Sequence, residues 1–524
     1  MDMKALRQKI LDLAIRGKLV PQDPNDEPAY VLLERIRQQK QQMVKEGKLK
    51  PKDIKNDSVI FVGEDNLHYE KFADGSVKCI EDEIPFDLPE GWAWARLNQI
   101  YNFIDYRGAT PNKISSGVPL ITAKNVKTGY IDYTIDEYIS EEEYWDRQQR
   151  GTSRLGDVLF TTEAPLGNAA IADIEKFSAG QRLITFQHYG SCVLNNHTFL
   201  YFILSDFFQD QLHTRKTGST VAGIKASILK TLLLPVPPIA EQDIIGAKCE
   251  NLLALIEEIT NSKQSIISAI SKTKAKILDL AIRGQLVPQD PNDEPASVLL
   301  ERIRAEKEEL IKQGKIKRDK KESFIFRGED NSYYLRTGEL VESLEDWDFE
   351  ELPDSWSVCC LGELCDYGNC TNIDTADIAD SAWILDLEDI EKDSGVVLQK
   401  VRQGERNAGS TKHRFHKGQV LYSKLRPYLN KVVLADEDGY CTSEILPLEF
   451  ERNILPQYAR YFLMSSAFLR YANKCSYGVK MPRLGTADGK KAIISVPPVK
   501  EQKRIIMAIE LAFTQLASIA ENLA

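Results

Sequence analysis

One stretch of this chain occurs twice, almost letter for letter. Residues 10–37 read ILDLAIRGKLVPQDPNDEPAYVLLERIR and residues 277–304 read ILDLAIRGQLVPQDPNDEPASVLLERIR. Only Lys18/Gln285 and Tyr30/Ser297 differ, so 26 of 28 positions match at an offset of 267. Repetition on this scale constrains the fold strongly, because one architecture has to be built twice. The likeness continues more faintly downstream. GEDN recurs at 63–66 and 328–331, Trp92 faces Trp356, and GDVLFTTEAPLGN (156–168) faces GQVLYSKLRPYLN (418–430). VPPIAEQ (236–242) faces VPPVKEQ (496–502), and the offset falls from 267 through 264 and 262 to 260 as loops gain or lose residues. Some parts of the halves are near-identical and others strongly diverged. One part does the same job twice; the other does two different jobs.

The shared parts read as helices. After Pro237-Pro238, where proline presets φ for a helix start, a periodic stretch runs from Glu241 to about Arg283. Its apolar residues fall at heptad spacing, with Ile245, Leu252, Ile256, Ile259 and Ile270 on the seam and only Lys263 and Thr273 interrupting it. That length of heptad spacing predicts a coiled coil. Gly284 sits where the helix should end, and VPQDPNDEP is a turn-rich connector. A shorter helix follows, Ala296 to about Lys312 closed by Gly314, matched by Ala29 to about Lys45 closed by Gly47. The seam recurs at the chain ends, as Ile505, Ile509, Leu516 and Ile519 at one and Leu6, Ile10 and Leu13 at the other. Residue 524 maps onto Gln264 and residue 1 onto Ser268, so the chain reads as a circle of two halves, cut within one of two long helices.

The diverged parts, about 90–237 and 353–497, read as α/β. β-Branched and aromatic runs such as Val158–Thr162 and Val420–Tyr422 alternate with Gly, Pro and Asn turns. Each part carries a helix, near 197–212 and 457–472, and then a glycine-bearing loop, at 214–225 and 475–485. The expected organisation is a helical region and arm over 1–89, a globular domain over 90–237 and a long helix over 238–284. A second arm over 285–352, a second globular domain over 353–497 and a closing helix over 498–524 complete it. No run of eighteen apolar residues exists, which argues against a membrane span. Nine scattered cysteines and a polar start fit a reduced, cytoplasmic setting.

Catalytic constellations are missing. There is no phosphate-binding G-x-x-x-x-G-K-[ST], no G-x-G-x-x-G at a strand–helix junction and no Asn/Asp-Pro-Pro-aromatic motif for holding a target amine. Glu501-x-Lys503 has nuclease spacing, but its repeat partner Glu241-x-Asp243 lacks the lysine. Cys359, Cys360, Cys365 and Cys370 lack standard zinc spacing and read as small buried hydrophobes. His413-x-x-His416 reads as a solvated or nucleic-acid-facing loop, and Glu141–Glu143 as a solvated face. No metal or cofactor is expected on this chain.

What remains is a set of residues suited to binding. The net charge of −11 counts against nucleic acid only on average, since a basic face can sit on an acidic body. From Lys400 to Lys431 nine Lys/Arg stand against the single acid Glu405. Arginine pairs with guanine and asparagine with adenine, while lysines and hydroxyls hold phosphate. The candidates in the second half are Lys412, Arg414, Lys424, Arg426, Tyr428, Asn430 and Lys431 (with Asn407 beside them), and Lys480 and Arg483 in the glycine loop. In the first half they are Arg107, Thr110, Lys124, Asn125, Arg215, Lys216, Ser219, Thr220 and Lys225.

Taken together, the twin ILDLAIRG-x-LVPQDPNDEPA segments, the twin VPP-x-x-EQ segments and GDVLF/GQVLY resemble a specificity subunit of a Type I restriction–modification enzyme. RGATP (107–111) with GVPLITAKNV (117–126) resembles that family's first recognition pattern, whereas YGNCTN (367–372) departs from it. The resemblance covers essentially the whole chain. It implies a mixed α/β fold in which two target-recognition domains are separated by two antiparallel helices forming a coiled coil, with pseudo-twofold symmetry. Each domain then reads one half of a split sequence on double-stranded DNA, and the helices fix the unread spacer. Two methyltransferase subunits and restriction subunits are the implied partners; they carry S-adenosylmethionine, ATP and Mg²⁺, and this chain is not itself an enzyme. A scaffold that never reads DNA and a stand-alone DNA-modifying enzyme are the alternatives.

Overall fold

The computed structural model describes residues 2–523 apart from 56, 107–109, 191–193, 218–221, 317–322, 331, 345–351 and 407–408, and gives backbone alone for Arg150 and Arg327. The chain divides into two compact units, Met1–Ser262 and Lys263–Ala524, and the division falls inside the long helix Ile239–Ile282. Each unit therefore holds an arm, a globular domain (the one that the resemblance implies is a recognition domain) and part of a long helix.

In the first unit the helices Met3–Ile15 and Ala29–Lys45 precede a three-stranded antiparallel meander, Ser58–Val62, His68–Phe72 and Val77–Cys79. The recognition domain is built on an antiparallel sheet of Asn102–Asp105, Leu183–Gln187, Val158–Thr162 and Leu166–Ile171. Side chains alternate across a strand, and here both faces are covered. Val158 and Phe160 point into one core with Ile184 and Phe186, while Leu159 and Leu183 point into a second core with Ile104 and Ala170. Burial on both faces explains why Val158–Phe160 is apolar without alternating. The first core also contains Ile10, Leu11, Leu32 and Ile36, so arm and recognition domain are one body rather than neighbours joined by a linker.

The second unit repeats this plan. Helix Ala296–Lys312 and the meander Ser323–Arg327, Tyr333–Thr337 and Leu340–Ser343 form its arm. Strand Val420–Ser423 pairs with Val432–Leu434 and Ile445–Leu448, sending Val420 and Tyr422 to one core and Leu421 to the other. A five-stranded sheet lies beside it: Asn372–Ile373, Lys412–Phe415, Gly439–Thr442, Trp383–Leu385 and Val401–Arg402. The single helices expected near 197–212 and 457–472 are each two. Asn196–Ile203 and Asp206–Thr214 meet at Ser205, and Pro456–Leu463 and Ser466–Lys474 meet at Ser465. Each buried serine donates to the carbonyl three residues back, Phe202 or Phe462, and caps the next helix, a side-chain alternative to continuing the helical ladder.

The repeated motifs converge on one node per unit. Glu241, in the first turn of the long helix, accepts from Trp92 Nε1 at 2.8 Å and Gln22 Nε2 at 3.2 Å. Glu501 accepts from Trp356 Nε1 at 3.0 Å and Gln289 Nε2 at 2.7 Å. The adjoining Gln242 accepts from Asn195 N and donates to the Pro237 carbonyl; Gln502 accepts from Leu455 N and donates to the Pro497 carbonyl. Gly17 and Gly284 end their helices at φ +64° and +70°, and an added Cβ would lie 2.4 Å from Pro89 Cγ or 2.5 Å from Pro353 Cγ. Left-handed φ and the close approach of a proline both demand glycine there. Glu501 thus serves the structure, not a nuclease site.

The heptad positions divide between two environments. Ile245 and Ile256 join the first unit's core, with Leu252 packed against it, and Ile10 is buried there while Leu6 packs on its edge. Ile505 and Ile509 are buried in the second unit's core. Ile270 is buried, Leu13 and Leu516 are half-buried, and Ile259 and Ile519 are 46% and 48% exposed. Several predicted seam residues thus face a globular domain, because heptad spacing alone does not distinguish that neighbour from a partner helix. Helix Val499–Leu523 is long and apolar enough to cross a membrane by length and composition only, and its first turns pack in the second unit's core.

Candidate nucleic-acid interface

In each recognition domain the central strand runs out into a turn that two further loops close upon. In the first unit Thr162 N donates to the Arg182 carbonyl (2.9 Å) and Ile224 N to the Thr162 carbonyl (3.0 Å). Glu163 is bridged to Gly223, which also pairs with Thr217. The chain then turns through Ala164 at φ +46° into Pro165. The second unit reproduces these backbone hydrogen bonds and bridges. Lys424 N donates to the Glu444 carbonyl and Leu484 N to the Lys424 carbonyl, both at 3.0 Å. Leu425 is bridged to Arg483, Tyr477 pairs with Arg483, and Arg426 at φ +50° leads into Pro427. The backbone hydrogen bonds are preserved while the side chains are replaced; beyond the proline the two chains part, into strand Leu166–Ile171 in the first unit and a short 3-10 turn, Pro427–Leu429, in the second.

Those side chains carry charge in opposite order. Position 182 is an arginine whose Nε lies 2.8 Å from Glu163 Oε1. Its counterpart, 444, is a glutamate held by Arg483, with Nε 3.1 Å from both carboxylate oxygens and Nη2 2.8 Å from Oε1. In the first unit a cleft of about 180 Å³ opens beside Arg182, lined by Thr110, Lys113, Lys124, Glu137, Ala164 and Gln181 among others. Gln181 Nε2 donates to Thr110 Oγ1 at 2.5 Å, and Glu137 holds Lys113 at 2.7 Å and Lys124 at 3.8 Å. In the second unit the junction carries Lys424, Arg426, the exposed Tyr428 and Lys480, and the apolar tips Tyr477, Val479 and Met481, with Val479 wholly exposed.

Several residues proposed from sequence are committed to contacts within the protein. Asn125 is 1% exposed; its oxygen accepts from Thr122 N and Oγ1, and its amide donates to the Asp132 and Ile135 carbonyls. It builds a turn. Lys412 is buried and paired with Asp386, and the neighbouring His413 donates from within the sheet to the Ile445 carbonyl. This segment is a strand rather than a loop; His416 lies just beyond it against Asp438. Asn430, at φ +48°, donates to the Met464 carbonyl, and Lys431 to the Leu387 carbonyl. The basic run is also less basic than its sequence suggests: Lys400 pairs with Asp436, Arg402 with Glu437, and Arg406 with Asp386 and Asp389. These acids lie outside the run, so a local count along the chain misses them.

Among the described residues Arg414, Lys424, Arg426 and Lys480 carry no ion pair, nor do Arg215, Lys216 and Lys225 in the first unit. Arg107, Ser219, Thr220 and Asn407 lie outside the described residues. Sequence reading missed Arg182, Glu163 and Glu444, although the offset of 262 sets Arg182 directly opposite Glu444. Of the acidic run, Glu143 accepts from Asn112 N and Glu141 from Lys176. No group of three His, Cys, Asp or Glu among the described residues is arranged to hold a metal. Burial raises the Cys359, Cys360 and Cys365 thiols, as expected of packed, unreactive cysteines.

The sequence model for the Type I restriction modification DNA specificity domain matches residues 89–268 and 353–518. The chain belongs to this family. Both matches cover a recognition domain and continue into the long helix that follows it. The chain is similar to the specificity subunit of the Type I restriction enzyme EcoEI from Escherichia coli, at 30% identity over 69% of this chain and 62% of that protein. It is equally similar to the EcoAI specificity subunit from Escherichia coli, at 30% identity over 70% and 63%. The chain thus spans a little over three fifths of these relatives' length. A solved structure described as the basis of complex assembly and conformational transition of the type I R-M system shares the fold. It aligns at a TM-score of 0.52 and 17% identity over 84% of this chain and 94% of that one.

Proposed function

We propose that this chain is the DNA-reading subunit of a Type I restriction–modification assembly and has no catalytic chemistry of its own. Each recognition domain presents its loop junction to double-stranded DNA and reads one half of a split target. Methyl transfer from S-adenosylmethionine and ATP- and Mg²⁺-dependent cleavage belong to two modification subunits and to restriction subunits, in the cytoplasm. The observation that carries this reading is the junction itself, one set of backbone hydrogen bonds built twice with different side chains, as two readers of different half-sites require.

The two long helices are proposed to pair antiparallel and fix the spacer. In the second unit Lys274 Nζ lies 5.4 Å over the Phe513 ring, bringing the long helix and the closing helix together there. The exposed Ile244, Leu255, Met507 and Leu511 provide apolar surface for the modification subunits. The test is an exchange of 356–497 for the same region of another specificity subunit, with methylome sequencing of cells that carry the partner subunits. One half-site should change while the other half-site and the spacer stay. If both halves change together, or methylation ignores the exchange, the reading fails.

A further inference from the structure

We propose that Arg182 and Arg483 are the guanine-reading residues of the two recognition domains, and that Glu163 and Glu444 are positioning residues that hold them. This rests on the reading that the loop junctions face DNA. An acid at such a surface repels phosphate, yet both domains place one at the junction, and each acid holds an arginine.

The geometry of the Arg483 pair gives the reason. Nε and Nη2 grip Glu444, and Nη1 donates to the Met481 carbonyl at 3.3 Å. A guanidinium has five N–H groups, one on Nε and two on each terminal nitrogen. These contacts engage three of the five and leave one N–H on each terminal nitrogen, the fork that matches O6 and N7 of guanine in the major groove. The carboxylate fixes the plane of that fork, so less rotamer freedom is given up on binding. Glu163 lies against Arg182 at Nε (2.8 Å), and the arginine side chain is 53% exposed. A pair this exposed contributes little to stability, which leaves positioning as its use.

The two clamps are not copies. At the equivalent backbone site, 182 or 444, the first unit puts the arginine and the second the glutamate. The opposing partner comes from the turn in one (Glu163) and from the hairpin in the other (Arg483). The two arginines thus leave the junction from different segments, the turn before strand Leu183–Gln187 and the hairpin strand Arg483–Leu484, and each domain reads its guanine at a different place relative to its frame. Lys424 and Lys480 flank one clamp, and Lys113 and Lys124 the other, as phosphate ligands that carry no sequence information.

The test is selection from a randomised DNA duplex pool with the purified full-length chain and its Arg483→Lys, Arg483→Ala, Glu444→Gln, Arg182→Ala and Glu163→Gln variants. The wild-type chain should enrich two short blocks. Arg483→Ala should lower the preference for guanine at one position of one block about ten- to a hundredfold, and Arg182→Ala should do so at one position of the other. Arg483→Lys keeps the charge and the ion pair, and should lose the preference while keeping overall affinity. Glu444→Gln and Glu163→Gln should weaken the preference without moving it. If the wild type enriches both blocks and Arg483→Lys or Arg182→Ala leaves every position unchanged, or lowers all positions equally, the clamp proposal is overturned alone. If the wild type enriches nothing, the DNA-facing assignment of the junctions falls with it.

Discussion

The buried node and the loop junction have each been built twice in this chain, and they have kept different things. At the node the side chains themselves recur: Trp, Glu, Gln and the proline-packed glycine stand in both units, and the same tryptophan and glutamine donate to each glutamate. At the junction the backbone bonds recur while Thr162 becomes Lys424, Ala164 becomes Arg426 and the ion pair reverses its order. The difference follows from burial. Glu241 and Glu501 are each 1% exposed, so changing one partner strands another polar group away from water. At the junction the side chains meet solvent, where exchanges alter stability little, and the backbone ladder is what both units keep. A duplicated protein can therefore diverge in what it binds without loosening what it stands on.

The sharpest test of that contrast removes the node. Trp92→Ala and Trp356→Ala each open a cavity under an arm and leave a buried glutamate with one donor fewer, so each should destabilise its own unit by about 3–5 kcal/mol. Denaturant unfolding measures the loss, and neither variant should change which bases the remaining folded chain selects. A large difference between the two values would mean that the nodes are not one device used twice. Burial raises the Glu241 and Glu501 carboxyls above the usual range. Protonation thus favours the folded state, and this contribution is lost as pH rises through the raised values.

Asp157 offers a test with a defined pH window. It is 7% exposed, and one oxygen accepts from Arg154 N and Gln187 Nε2. Burial pushes its carboxyl up to about 6. A raised acid stabilises the fold below the unfolded value, near 4, and that contribution disappears as pH climbs to about 6. At neutral pH the buried charge costs on the order of 2–3 kcal/mol. The second unit places neutral Gln419 at the equivalent position. Asp157→Asn should therefore raise the Tm of the first unit at pH 7 and flatten its pH dependence between 4 and 6; an unchanged profile would show that the charge is well solvated.

The third test separates real from apparent basic surface. Neutralising Arg414, Lys424, Arg426 and Lys480 should reduce the log–log salt slope of DNA binding by roughly one for each phosphate that the protein no longer neutralises. Neutralising Lys400 and Arg402, which already face Asp436 and Glu437, should leave it nearly unchanged. Equal slopes for the two sets would sink the junction as the DNA-facing surface.

How much of the molecule is legible in the sequence follows the same division. The repeat, the helices Ala29–Lys45 and Ala296–Lys312 and the glycine stops can be read because local spacing and capping decide them. The double-faced sheet explains the apolar central strands, but which strands pair depends on residues far apart in sequence. The basic run misleads because its acids arrive from 386–389 and 436–437 across the sheet, and Asn125 misleads because a polar side chain can be wholly spent on its own turn. The serine that divides each paired helix carries a cap signal that helical periodicity overrides.

The smallest expected effect lies in the near-identical segment. Lys18 and Tyr30 are its only departures from the second copy, and both are exposed, Tyr30 by 66%. Surface exchanges of this kind usually stay within about 0.5 kcal/mol. Converting the first segment to the second through Lys18→Gln and Tyr30→Ser should therefore leave unfolding and base selection as they are. Tyr30 does border a small recess of about 80 Å³ with Leu33, Lys40 and Trp94, and the residue opposite Trp94 in the second unit is Val358. The exchange is thus the most sensitive probe of whether the two arms do one job. If stability holds but methylation by the assembled complex drops at least severalfold, Tyr30 and its recess distinguish the first arm from the second, and the arms cannot be treated as interchangeable supports.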